Sequence, residues 1–60
     1  MTREECERLI GARVLLRIRD VDPTHPKAHE TVIKEVSPKG YVNSSLGWWH
    51  HDALALVEAL

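Results

Sequence analysis

The stretch TVIKEVSPKGYVNSSL, residues 31–46, decides how this chain folds. Its centre, Ser37-Pro38-Lys39-Gly40, has proline and glycine where a tight turn favours them, and β-branched residues come before it. The stretch therefore predicts a β-hairpin between a strand over 30–37 and a returning strand over 41–46. In a regular strand Ile33 and Val36 would point to opposite faces, since they are three positions apart. A β-bulge near Lys34 and Glu35 would bring both to one face.

Two elements are predicted upstream of the hairpin. Thr2 and Glu5 stand in capping-box register, and Gly11 ends a short helix within residues 1–10. This helix must dock through its apolar face, which holds Cys6, Leu9 and Ile10. The alternation over 13–19 predicts a strand. Its core-facing residues are Val14, Leu16 and Ile18, and its outward residues are Arg13, Leu15, Arg17 and Arg19.

The connection over 20–29 contains Pro23 and Pro26, which exclude a regular helix or strand there. Long ordered loops on small scaffolds often carry binding residues. Asp22 and His25 in this loop are therefore candidates for partner binding.

Downstream of the hairpin, Trp48 and Trp49 begin another extended segment. Neighbours in a strand point to opposite faces, so one tryptophan belongs to the core and the other is exposed or at an interface. Residues 52–60 allow two interpretations, a helix that Asp52 caps or a 3-10 turn over 52–54 followed by a short strand over 55–58.

The layout of these elements resembles a small SH3-like barrel with KOW-like and Tudor-like relatives. The resemblance rests on residues 32–42 and 49–58, covers about residues 11–58, and leaves the N-terminal helix as an addition. It implies a mainly β fold of about five short strands, with residues 55–58 as the closing strand. The alternative is an α+β fold with a C-terminal helix from Asp52.

The resemblance leaves the ligand open. The acidic, aromatic-rich peptide-binding signature of signalling SH3 domains is absent from the loop over 20–29. The four-aromatic cage of methyl-lysine-reading Tudor domains is not filled, because the aromatic residues of the chain are Tyr41, Trp48 and Trp49.

Size and composition narrow the classes of protein. Sixty residues form a single domain over 1–60, and the one cysteine excludes a disulfide within the chain. A net charge of -1 argues against a non-specific nucleic-acid coat protein. Without a membrane span or a signal-peptide pattern, we expect a cytoplasmic protein with no membrane partner. Met1 and the capping sequence after it favour a complete chain.

We expect neither catalysis nor a cofactor. No serine or cysteine stands in a nucleophile motif, and no glycine loop could bind phosphate. The four histidines are His25, His29, His50 and His51. Pro26 separates the first two, and the last two would point to opposite faces of a strand, so we expect no metal site.

The leading interpretation is a non-catalytic binding module, a small accessory protein that binds a protein partner or forms a homo-oligomer. Its expected partner-binding residues are Trp48, Trp49, Tyr41, Asp22 and His25. The alternative is nucleic-acid binding, in which Arg13, Arg17 and Arg19 track phosphates beside a stacking aromatic. Leu15 and one of Val32 and Ile33 should also lie on that outer face, covered by the N-terminal helix or by a second copy.

Overall fold

The computed structural model describes residues 1–19 and 27–60 and is mainly β. Its elements are α1 (Arg3–Arg8), β1 (Arg13–Ile18), β2 (His29–Val32), β3 (Glu35–Val36), β4 (Tyr41–Ser44), β5 (Gly47–His50), a 3-10 turn (His51–Ala53) and β6 (Leu54–Ala59). They form two three-stranded antiparallel sheets with strand orders β2–β1–β6 and β3–β4–β5. The predictions of a mainly β fold and a short N-terminal helix are confirmed.

The chain crosses from one sheet to the other between β2 and β3. The single strand predicted over 30–37 is wrong, because the chain leaves the first sheet at Ile33. The Ile33 carbonyl accepts from the Gly11 N–H at 2.7 Å, whereas the Lys34 N–H donates to Asn43 in the second sheet at 2.8 Å. The predicted change of parity does occur here, since Ile33 is buried and Val36 packs against the same core.

The C-terminal segment is a 3-10 turn followed by a strand, and the alternative helix from Asp52 is wrong. β6 pairs with β1 from Ile18 opposite Leu54 to Val14 opposite Ala59, with a shift of register that leaves Val57 without a partner. Leu54 is fully buried by this pairing. Strand pairing and burial therefore outweigh the helical spacing of the leucines.

The core lies between the two sheets and receives the helix at one end. Among residues 1–19 and 27–60, its fully buried apolar side chains are Cys6, Val14, Leu16, Ile33, Val42 and Leu54. Leu9 packs against them as predicted, but Ile10 stays 47% exposed because it follows the helix and bridges to Ile33. A hydroxyl pair also joins the sheets, since the Thr31 and Ser45 oxygens lie 2.6 Å apart. No helix in the described residues has the length and apolar character needed to cross a membrane.

Candidate functional site

The outer face of the second sheet brings three aromatic rings together. Cross-strand partners share a face, and the register pairs Tyr41 with His50 and Asn43 with both Trp48 and Glu35. We call this surface the aromatic face; it consists of Glu35, Tyr41, Asn43, Trp48 and His50. Trp48 is 53% exposed and Tyr41 is 45% exposed. The face therefore presents a large apolar area around a polar centre.

Local contacts hold the aromatic face in place. Tyr41 and His50 meet edge to face with ring centroids 5.3 Å apart. The Asn43 side-chain amide lies 3.5 Å from a Glu35 carboxylate oxygen, the long limit for a hydrogen bond. β4 and β5 are joined by a two-residue turn that ends at Gly47, whose φ of 93° suits glycine. The tight turn places Trp48 directly beside Asn43.

The two tryptophans lie on opposite sides of β5, as the alternation predicts. Trp49 is half-buried against the core, opposite Val42, and its indole N–H donates to the Leu46 carbonyl at 2.8 Å. Trp49 thus supports the sheet from inside. Trp48 is the tryptophan of the aromatic face. Asp22 and His25, the other expected partner-binding residues, lie outside the described residues.

The prediction that His50 and His51 point to opposite faces of a strand is wrong. β5 ends at His50, and the 3-10 turn swings His51 back so that the ring centroids are 4.3 Å apart. With Asp52 they form a cluster whose potential ligand atoms lie within 4.8 Å of one another. Sequence alternation could not find this cluster, because it depends on the strand ending between the two histidines.

Existing hydrogen bonds give this cluster a structural role. The His50 Nδ1 accepts from the Asp52 N–H at 3.2 Å and so caps the 3-10 turn. The His51 Nδ1 lies 2.8 Å from the Met1 carbonyl and 3.1 Å from an Asp52 carboxylate oxygen. The Met1 ammonium donates to the Leu54 carbonyl at 2.6 Å. The cluster therefore fastens the N-terminus to the start of β6.

The outer face of the first sheet carries charges of both signs. In the register, Leu15 faces Glu30 on one side and Glu58 on the other, while Arg13 faces Val32. We call this surface the charged face; it consists of Arg13, Leu15, Arg17, Glu30, Val32 and Glu58. Arg13 and Glu30 already form an ion pair at 2.7 Å with both side chains more than half exposed. Arg19 is also exposed, one residue beyond the end of β1.

The charged face is not a continuous positive stripe. Two glutamates flank the centre of β1, so the arginines of this face are balanced by neighbouring carboxylates. A polyanion that tracked Arg13 and Arg17 would pass beside both glutamates. The arrangement suits a surface that itself carries charges of both signs.

Two surface grooves lie among the described residues. A groove of about 330 Å³ is lined by Arg13, Glu30, Thr31, Val32, Lys34 and Ser45. In this groove Arg13 and Glu30 form an ion pair with each other. The Thr31 and Ser45 hydroxyls form a hydrogen bond with each other. A groove of about 340 Å³ between α1 and β6 is lined by Glu5, Arg8, Leu9 and Leu56.

Comparison of the chain with protein-family models, with curated proteins and with solved structures finds no match.

Proposed function

We propose that this chain is a non-catalytic protein-binding module that uses the aromatic face. The observation that carries the proposal is the half-exposed Trp48, set on a two-stranded platform beside Tyr41 and Asn43. Tryptophan and tyrosine are the residue types most enriched where a few side chains supply most of the binding energy. A large aromatic area without a deep cavity suits a protein segment better than a small molecule.

The charges around the aromatic face favour a cationic segment as its occupant. Glu35 lies across β4 from Trp48, and Asp52 is exposed just beyond His50. An arginine or lysine side chain can stack on the Trp48 ring while its charge meets a carboxylate. A nucleic acid would bring its phosphates to the same carboxylates. We therefore infer a partner segment that carries arginine or lysine.

We also infer that the two sheets are arranged as in an SH3-like barrel. The support is the order of the pieces: β1 lies between β2 and β6, the chain switches sheets after β2, and a 3-10 turn precedes β6. An NMR structure that shows another strand order, or no packing of one sheet on the other, would contradict this arrangement.

The test of the binding proposal is an NMR titration with short peptides that contain arginine or lysine. We expect shifts at the Trp48 indole, Asn43 and Tyr41, and their loss in Trp48→Ala. For a hot-spot residue the truncation costs about 2 kcal/mol or more, roughly 30-fold in affinity. Val57→Ala is the matched control, because Val57 is 50% exposed in β6, outside the aromatic face.

Two outcomes would contradict the binding proposal. One is that none of the cationic peptides shifts the Trp48 indole resonance, or that glutamate-containing versions shift it as much as the cationic ones do. The other is micromolar binding of a single-stranded oligonucleotide that weakens steeply with salt and disappears in Arg17→Glu, which would establish the nucleic-acid alternative.

A further inference from the structure

We propose that the charged face is a homodimer interface in which two copies pack face to face, with their strands crossing at about 90°. This surface is separate from the aromatic face, and the proposal stands whether or not the aromatic face binds a partner. Its basis is the pattern of charges around Leu15, which is complementary to itself in one orientation.

The four charges of this face form a cross centred on Leu15. Arg13 and Arg17 lie two residues away on either side along β1, a distance of about 6.7 Å in an extended strand. Glu30 and Glu58 lie on either side in the neighbouring strands, about 4.8 Å away. One arm of the cross is therefore positive and the other is negative.

With Leu15 packed on Leu15, a crossed arrangement pairs all four charges. If two copies pack with Leu15 over Leu15 and their strands aligned, the arginines of one copy face arginines of the other and the glutamates face glutamates. If the second copy is turned by about 90°, each positive arm lies over a negative arm. Orthogonal packing of two sheets is one of the two arrangements that natural proteins use.

A twofold axis that lies in the plane of contact, over Leu15 and Val32, generates an arrangement close to this one. It places Leu15 on Leu15 and Val32 on Val32, so the two apolar side chains form the centre of the contact. It brings Arg17 to Glu58 of the second copy, and it joins the two Arg13–Glu30 ion pairs into a ring of four alternating charges. The residues of this face that pack against the same residue of the second copy are the apolar Leu15 and Val32.

The part of the chain that the structure describes, residues 1–19 and 27–60, leaves this face open. The N-terminal helix does not cover it, because Cys6 packs with the inward-facing residues of β1 and not with Leu15. Val32 is 37% exposed, and the Arg13 and Glu30 side chains are 66% and 53% exposed. We expected either the N-terminal helix or a second copy to cover the outer apolar residues. Since the helix packs elsewhere, a second copy is the remaining alternative. A different partner would need the same crossed pattern of charges, because burying an unpaired charge is costly.

The test is the molar mass in solution, measured by sedimentation and light scattering from micromolar to millimolar concentration. We expect the wild type to reach the dimer mass as concentration rises. Arg17→Glu should weaken the dimer about 30-fold, since symmetry places the pair in the interface twice and each exposed pair contributes about 1 kcal/mol. The double variant Arg17→Glu with Glu58→Arg should restore the dimer.

The controls separate this interface from its alternatives. Arg8→Glu makes the same change of charge on α1 and should leave the dimer intact, and Trp48→Ala should do so as well. A circular dichroism spectrum of each variant checks that it is folded. A wild type that stays monomeric at every concentration overturns the proposal. So does a double variant that remains as weak as Arg17→Glu, or a dimer that Trp48→Ala abolishes and Arg17→Glu does not.

Discussion

Gly40 is the residue at which a single added methyl group should have the largest local effect. It is buried at the end of the hairpin turn, with a φ of 88° that L side chains rarely adopt. A Cβ there would lie 2.8 Å from the Cδ2 of His51. The His51 ring has little room to move, because its backbone N–H donates to Gly40 and its Nδ1 contacts the Met1 carbonyl.

We therefore expect Gly40→Ala to lower the free energy of unfolding more than Gly11→Ala does. Gly11 has a similar φ of 85° but open space around it, so its substitution should cost about 1–2 kcal/mol for backbone strain alone. Overpacking against His51 should add about 1–3 kcal/mol at Gly40. Urea denaturation in a stabilising osmolyte measures both costs. Equal losses, or no relief when His51→Ala is added to Gly40→Ala, would contradict this account.

At the scale of elements, the six-residue helix depends on its N-terminal cap. The Thr2 hydroxyl accepts from the Glu5 N–H at 3.1 Å, and the Glu5 carboxylate accepts from the Thr2 N–H at 2.9 Å. The Thr2 N–H that donates to the Glu5 carboxylate, helped by the adjacent Thr2 hydroxyl, holds the pKa of the Glu5 carboxyl below its usual value. A lowered carboxyl pKa stabilises the fold above the unfolded pKa, and this contribution is lost as pH falls through the folded pKa.

Thr2→Ala should destabilise the protein by about 1 kcal/mol, the usual cost of losing an N-cap hydroxyl. It should also raise the pKa of Glu5, since one of the two lowering contacts is removed. An NMR titration of the Glu5 side-chain carboxyl in both proteins measures the shift, and Thr2→Ser is the control that keeps the hydroxyl. A Glu5 pKa that is the same in Thr2→Ala and the wild type would show that the cap does not set it.

The elements also show which features of the fold could be predicted from residues close together in sequence. The capping box, the Ser37–Gly40 turn and the opposed tryptophans were predictable, because each depends on residues within a few positions of one another. The split of the strand at Ile33 was not, since its carbonyl bonds to Gly11, far away in sequence. The contact between the His50 and His51 rings was missed for the same reason. β5 ends at His50, and the next N–H, that of His51, donates to the carbonyl of Gly40, which is distant in sequence.

At the scale of the whole molecule, stability and association should be linked. The described residues include six fully buried apolar side chains, and the core of a 60-residue chain provides only about 3–5 kcal/mol of net stability. A second copy that binds the folded chain but not the unfolded chain adds to this by mass action. In the proposed dimer the charged face is buried, and the aromatic face stays free on each copy.

The expected consequence is a melting temperature that rises with protein concentration. For a fully dimeric protein, each tenfold increase contributes about 0.7 kcal/mol per chain, which in a domain of this size raises Tm by about 3–6 °C. Calorimetry over a hundredfold range of concentration measures the slope. The Tm of Arg17→Glu should not depend on concentration in the range where this variant is monomeric. The charge-swapped double variant should regain the dependence. A slope shared by the wild type and Arg17→Glu would place the stabilising contact on another surface, and no slope in either would mean that the fold is sustained by its own core.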